Sequence, residues 1–130
     1  MYNTSVIVRS LLGPGYGRIR VLVACVDVTA RLMFEQGIPM DDISVMKDVY
    51  AQVAKSLGKT TNAVSRNAER MANLCWEMSS PQRLEQVLGR SPKELPPSPT
   101  PKTILIYLAV YSYLGSPYFE AIADHPEVFT

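Results

Sequence analysis

One apolar run constrains the fold more than any other feature: RIRVLVACVDVTARLMFEQG, residues 18–37. Its β-branched residues suggest a strand, yet its apolar positions recur at intervals of three, four and seven, which is the spacing of one helix face. The residues on that face are Ile19, Leu22, Val23, Val26, Ala30, Met33 and Phe34. Gly37 follows as a C-terminal stop signal. The run therefore predicts a long, mostly buried central helix.

The rest of the chain repeats helical spacing, without hairpin signals, evenly spaced strand runs or internal repeats. Further helices are predicted in residues 4–12, between Asp41–Ser44 and Gly58, from Thr61 to Trp76, and in residues 79–89, 103–114 and 116–124. GPGYG (13–17) is predicted as a turn, and the proline-rich RSPKELPPSPTP (90–101) as a stiff spacer. The sequence thus predicts an all-α fold, a compact helical bundle over residues 1–115, with a C-terminal tail (116–130) that ends loosely at HPEVF.

Local signals predict where several of these helices begin and which side faces inward. Asp41, Asp42 or Ser44 caps the helix that Gly58 closes. Ser79 and Gln82 have capping-box spacing, with Pro81 in the first turn and Gly89 as the stop. Thr100 and Pro101 open the helix that ends at Gly115. The inward stripe of the helix before Gly58 is predicted to be Ile43, Met46, Tyr50, Val53 and Leu57.

Composition narrows the class of protein. The 130 residues are 47% hydrophobic and 19% charged, with no run long enough to span a membrane, and the N-terminus lacks the pattern of a secretory signal. Cys25 and Cys75 stand fifty positions apart without a CxxC motif, so buried free thiols are expected. A cytoplasmic protein without membrane contact is predicted.

No catalytic constellation is recognisable in the sequence. The single histidine, His125, excludes HExxH and paired-histidine zinc spacing, and neither a Gly-x-Ser-x-Gly elbow nor a P-loop occurs. GPGYG lacks the spacing of a dinucleotide fingerprint. The Asp41–Asp42 pair fits the positive end of a helix dipole better than acid–base chemistry. We therefore predict that the protein is no enzyme and has no cofactor and no metal ligand.

The segment VAKSLGKTTNAV, residues 53–64, has the spacing of a helix-turn-helix. Such a motif needs a small residue where two helices cross, a left-handed turn, and an apolar residue that seats the second helix. Ala54, Gly58 and Val64 supply these features, and Thr60 or Thr61 can cap the second helix. Behind Val64, an apolar stripe continues through Ala68, Met71 and Cys75. The pattern also fits an ordinary amphipathic hairpin whose polar side faces water.

The outer side of the second helix carries the candidate DNA-reading residues. The predicted base contacts are Asn62, Ser65, Arg66 and Arg70, with Ala63 and Glu69 beside them. The predicted phosphate contacts are Lys47, Lys55, Lys59, Thr60 and Thr61. Net charge is only +1, but residues 1–70 hold nine Lys or Arg against six Asp or Glu, whereas residues 71–130 hold four against six. The candidate contacts lie in the basic half.

Residues 43–76, ISVMKDVYAQVAKSLGKTTNAVSRNAERMANLCW, resemble the C-terminal DNA-binding domain of the stage-zero sporulation master regulators, which are bacterial response-regulator effectors. A tyrosine ahead of an Ala-Lys pair, the threonine-containing turn, Val64, Arg66 and the terminal Trp76 carry the resemblance. It extends over about residues 4–114, with modest identity. It implies a helical bundle around a helix-turn-helix and a role in transcription regulation. The family's receiver module, which normally precedes this domain, has no counterpart in the sequence.

The resemblance transfers to the reading surface only in part. Arg66 matches an arginine that contacts bases in the major groove. Asn62 aligns with a serine and Arg70 with a histidine. Ala63, Ser65 and Glu69 stand where the family has an arginine, a glutamate and an arginine. The scaffold is kept and the reading surface is changed, so the resemblance supports binding to DNA more than binding to the family's own sporulation box.

Two function classes remain in competition. The first is a sequence-specific DNA-binding transcription regulator, with residues 61–76 in the major groove of double-stranded DNA and with dimeric or tandem binding. The contact between copies is predicted on helix 102–114, which carries Tyr107, Tyr111 and Tyr113. The alternative is a helical protein-interaction module that keeps the fold and has lost DNA binding. Trp76 is predicted to be structural in both, packed against Val23 and Val26.

Overall fold

The computed structural model describes residues 3–15 and 17–129. Within those ranges all regular structure is helical, and no strand occurs. The helices are α1 (Thr4–Leu12), α2 (Arg20–Ala30), α3 (Ala51–Leu57), α4 (Thr61–Met78), α5 (Pro81–Leu88), α6 (Pro101–Leu114), α7 (Tyr118–Asp124) and α8 (Pro126–Phe129). A π-helical segment (Arg31–Glu35) extends α2 and another (Val45–Tyr50) precedes α3, while short 3-10 turns occupy Met40–Asp42 and Pro92–Glu94. The predicted all-α class is confirmed.

The predicted central helix is also confirmed. α2 contacts α1, α3, α4 and α6, and Leu22, Cys25 and Val26 on it are fully buried. Its π-helical extension ends before Gly37, whose φ of +68° is left-handed, as expected of a helix stop. The bundle is therefore built around α2.

α6 is the second central helix, and its sequence explains why. Apolar residues surround nearly its whole circumference, and a helix that is hydrophobic on all sides is buried. Its buried residues are Ile104, Leu105, Ile106, Leu108, Ala109, Val110 and Ser112. The Thr100 side chain accepts from the Thr103 amide at 3.2 Å, and Gly115 ends the helix with φ +69°. Both predicted ends of this helix are confirmed.

The predicted inward stripe before α3 is wrong at one position. Met46 is 44% exposed, whereas Val49, which was not predicted to face inward, is fully buried. The cause is the π-helical segment Val45–Tyr50, because its wider turn shifts the phase of the side chains before α3 begins. Of the three candidate caps, Ser44 is the one used: its side chain accepts from the Lys47 amide at 3.4 Å, and the Asp48 carboxylate accepts from the Ser44 amide at 2.8 Å.

The predicted cap of α5 is displaced by one residue. Ser80, not Ser79, accepts from the backbone amide of Arg83, at 3.2 Å. The Ser79 hydroxyl instead donates to the carbonyl oxygens of Cys75 and Leu11. Ser79 thereby ties the end of α4 to the end of α1. Pro81 in the first turn and Gly89 at the stop are as predicted.

The C-terminal tail packs on the bundle, so the prediction of a loose HPEVF end is wrong. The short helix predicted in residues 116–124 is present as α7, and α8 follows it. Phe129 is only 7% exposed, with its ring 6.4 Å from that of Phe34 and 5.8 Å from that of Tyr118. These aromatic contacts hold the tail against α7 and the π-helical extension of α2.

The two cysteines are free and buried, as predicted. Burial raises the pKa of each thiol, Cys25 and Cys75, from about 9 to about 12. Both side chains therefore stay protonated at neutral pH and serve as small apolar core residues. No helix in the described ranges is long and apolar enough to cross a bilayer.

Candidate nucleic-acid interface

Three residues join α3 to α4, and the backbone conformation of the first favours glycine. Gly58 has φ +66° and ψ +36°, a left-handed conformation that side chains with a Cβ resist. The backbone amides of Gly58 and Lys59 both donate to the carbonyl of Ala54, the latter at 2.9 Å. These bonds satisfy the end of α3 and turn the chain into α4.

Thr60 fixes where α4 begins. Its side-chain oxygen accepts from the Ala63 amide at 3.1 Å, which satisfies one of the free amides at a helix start. Of the two candidate caps, Thr60 is thus the cap, and Thr61 is the first helical residue and half-buried. The first turn of α4 is therefore held in place independently of any ligand.

α4 has one buried and one exposed face, as the sequence predicts. The predicted stripe is confirmed: Val64, Ala68, Met71 and Cys75 are each at most 2% exposed, and Ala72 joins them. The opposite face presents a mainly polar set near the helix start, consisting of Asn62, Ala63, Arg66 and Arg70. The α4 surface is amphipathic over its full 18 residues.

Arg66 and Arg70 lie one turn apart on this exposed face. No carboxylate of the described residues is within ion-pair distance of either guanidinium. Ser65 differs from them, because it is half-buried and its hydroxyl donates to the Glu69 carboxylate at 3.4 Å. Two of the predicted base-contact residues are thus exposed and unpaired cations, while Ser65 is engaged within the helix.

The predicted phosphate-contact lysines fall into two places. Lys55 and Lys59 are exposed on either side of the end of α3, close in sequence to Thr60 and Thr61. Lys47 is also exposed, but it lies in the π-helical segment at the other end of the α3 stretch. About ten residues of helix, or roughly 15 Å, separate Lys47 from the turn. Only the first pair lies beside the start of α4.

Tyr50 is a contributor to this region that was predicted only as a core residue. It is 1% exposed, and its hydroxyl finds no hydrogen-bond partner among the described residues. Burial raises the pKa of the Tyr50 phenol, and the negative charge of Glu69 on α4 raises it further. The phenol therefore stays neutral, with Glu69 of α4 close to it.

Trp76 ends the buried stripe on a different side from the one predicted. We predicted a contact with Val23 and Val26 of α2, but the indole is only half-buried and stacks on Tyr107 of α6, with ring centres 6.4 Å apart. Tyr107 also meets the rings of Tyr118 and Phe119. Trp76 is thus one edge of an aromatic cluster between α4, α6 and α7.

The tyrosines of α6 are partly engaged in contacts within the protein. Tyr107, Tyr111 and Tyr113 are all half-buried. Tyr107 lies in the aromatic cluster and Tyr113 stacks on Phe34 with ring centres 4.8 Å apart. The prediction that α6 forms the contact between two copies stays a prediction.

Comparison of the chain with family models, with curated proteins and with solved structures gave no match. The resemblance to the sporulation regulators accordingly stays a prediction.

Proposed function

We propose that this chain is a sequence-specific DNA-binding protein that regulates transcription, with α3, the Gly58 turn and α4 acting as a helix-turn-helix. One observation carries the proposal: Arg66 and Arg70 are exposed and unpaired on the outer face of a helix that Thr60 caps. Two unpaired cations on a rigid helix can bind a polyanionic partner. Because the helix is already held in position, binding costs less conformational entropy.

The major groove of B-DNA accepts an α-helix, and the first turns of a recognition helix contact the base edges. Arg66 is the sixth residue of α4 and Arg70 the tenth, so both lie in its N-terminal two to three turns. The planar guanidinium of Arg66 can donate to both O6 and N7 of one guanine. Asn62 and Arg70 would contact neighbouring bases or phosphates.

The backbone contacts of this mode fall to the turn. Lys55 lies in the last turn of α3, and Lys59, Thr60 and Thr61 lie in the turn and at the start of α4. In the proposed complex the sugar-phosphate backbone runs beside this region. Lys47 would contact a more distant phosphate. One such domain reads few base pairs, so we propose that two copies bind tandem half-sites, with α6 as the contact between them.

A second candidate function is a helical protein-interaction module. The observation in its favour is apolar exposure: Val6, Met46 and Met78 are 64%, 44% and 53% exposed. Scattered exposed apolar side chains are, however, ordinary on protein surfaces. The net charge of +1 does not distinguish the two functions.

Binding to mixed-sequence duplex DNA at several salt concentrations separates the two. A DNA-binding protein gives an affinity that falls steeply with salt, because phosphate contacts release counterions. A protein-interaction module gives no salt-dependent binding even at low ionic strength. Selection of preferred sites from random DNA then tests sequence specificity and yields the target in the same experiment.

A further inference from the structure

A second group of unassigned cations lines a cleft on the other side of the α3–α4 turn. The cleft has a volume of about 480 Å³ and is formed by α1, the segment before α2, the first half of α2 and the end of α3. Arg9 of α1, Arg18 before α2 and Arg20 at the start of α2 line it, and Ser5 adds a hydroxyl. Sequence spacing gave no hint of this cluster, because the fold brings α1 and α2 together.

The charge of the cleft is predominantly positive. Three guanidinium groups face one carboxylate, Asp27, which already accepts a hydrogen bond from the Thr4 hydroxyl at 2.6 Å. Arg18 and Arg20 are exposed, and no carboxylate in the described part of the chain is within ion-pair distance of either. The positive charges of Arg18 and Arg20 stand close together and repel each other, and a bound anion relieves that repulsion. The planar forks of arginine match the oxygens of a phosphate.

The position of the cleft indicates which phosphate it would bind. Leu57, the last residue of α3, forms one of its walls, and Gly58 follows immediately as the start of the turn into α4. The cleft therefore borders the surface that we propose faces DNA. Proteins that read bases with a helix hold the duplex in register by phosphate contacts outside that helix.

We propose that Arg9, Arg18 and Arg20 form a clamp for backbone phosphates that flank the major groove occupied by α4. This inference rests on the proposed DNA-binding function and extends the interface from α3 and α4 to α1 and the start of α2. The clamp supplies affinity and register for any sequence, whereas Arg66 and its neighbours supply selectivity.

The test compares two double variants that remove equal charge. Arg18→Gln with Arg20→Gln empties the clamp of its two exposed cations, and Lys93→Gln with Lys102→Gln removes two cations from the connector and the start of α6. Anisotropy of a labelled mixed-sequence duplex is measured from about 50 to 200 mM salt. We expect the clamp variant to bind all sequences about ten-fold more weakly and to lower the salt slope by about two, while the control stays close to the parent.

A third variant, Arg18→Lys with Arg20→Lys, keeps the charges and removes the forks. It is expected to keep the salt slope and lose part of the affinity. Circular dichroism of every variant checks the fold. If the glutamine variant does not fold, the lysine variant is compared with the parent instead.

The outcomes separate failure of the clamp from failure of the proposed function. Parent and clamp variant with the same salt slope, on DNA that the parent binds, would reject the clamp alone. No salt-dependent binding by the parent would reject the function and the clamp together. Titration with inorganic phosphate, followed by NMR shifts at Arg18 and Arg20, identifies a free-phosphate site: saturable shifts without any change of DNA salt slope would also contradict the clamp.

Discussion

Arg66 and Lys59 are both exposed cations near the start of α4, but their surroundings give them different reach. Arg66 projects from the outer face of the helix, opposite Val64 and Ala68, whereas Lys59 lies in the turn between Gly58 and Thr60. In the proposed complex, only the first meets base edges, and the second meets the backbone. This difference allows the groove assignment to be tested with two single substitutions.

Arg66→Ala is expected to cost about 1–3 kcal/mol of binding free energy on the preferred site and to relax selectivity at one base position. Lys59→Ala is expected to weaken binding to all sequences alike and to lower the salt slope by about one. Quantitative gel shifts on the preferred site and its single-base variants measure both effects. Equal loss on every sequence for Arg66→Ala would make Arg66 a phosphate ligand instead.

The buried thiols provide a prediction that is independent of function. Folding raises the pKa of Cys25 and Cys75 from about 9 to about 12, so above pH 9 the unfolded chain loses these protons while the folded chain retains them. Their contribution to stability is therefore intact below pH 9 and is lost as the pH rises towards 12.

Urea unfolding between pH 7 and pH 11 measures this trend, and the double variant Cys25→Ala with Cys75→Ala is the control, because it lacks the two ionisable groups. A disulfide reagent at pH 8 should react slowly with the native protein and rapidly in denaturant. Fast reaction of either thiol in the native state would contradict the buried positions.

At the scale of helices, the turn between α3 and α4 depends on one backbone conformation. An added Cβ at Gly58 would meet no atom within 4 Å, so a substitution there is opposed only by the left-handed φ of +66°. Gly58→Ala is expected to lower the free energy of unfolding by about 1 kcal/mol. Gly15→Ala is the matched control, because Gly15 also has open space but no positive φ, and the stability of this variant should stay the same or rise slightly.

Trp76→Ala tests the aromatic cluster that joins α4 to α6. Because the indole is half-buried and stacks on Tyr107, we expect a loss of about 2–3 kcal/mol, below the ~3–5 kcal/mol of a fully buried tryptophan. Met78→Ala, near the same end of α4 and 53% exposed, should change stability by less than about 0.5 kcal/mol. Coincident urea curves for parent and Trp76→Ala would contradict the packing.

Most helices could be predicted because their signals are local. Apolar spacing marks the buried faces of α2 and α4, and Gly58, Gly89 and Gly115 mark helix ends through backbone conformations that glycine favours. The predictions were wrong where contacts with residues distant in sequence determine the local structure. The sequence predicts Ser79 as a helix cap, but its hydroxyl donates to the Leu11 carbonyl. The sequence predicts a loose end around Phe129, but the Phe129 ring packs on Phe34.

The candidate interface also has one part that local sequence predicts and one part that depends on tertiary packing. The exposed face of α4 follows from the helical period once Val64 and its stripe are recognised as core. The arginine cleft does not, because Arg9 and Arg20 belong to different helices and only tertiary packing brings them to one surface. Met46 was wrongly predicted to face inward because the π-helical segment Val45–Tyr50 changes the helical period that the prediction assumes.

For the molecule as a whole, the proposed DNA-binding function lies in the N-terminal half. Residues 1–70 carry an excess of three positive charges, and both the α4 face and the arginine cleft belong to that half. α5, α6 and α7 supply the remaining core and the aromatic cluster around Tyr107. We therefore propose that a surface from the start of α2 across the Gly58 turn to α4 contacts duplex DNA.

NMR of the ¹⁵N-labelled chain, titrated with a short duplex at low salt, tests whether this surface contacts DNA. We expect salt-sensitive shift changes concentrated at Arg18, Arg20 and residues 58–70, with α5, α7 and the 90–100 connector unaffected. Binding that leaves residues 58–70 unchanged, or no shift change with any duplex, would contradict it.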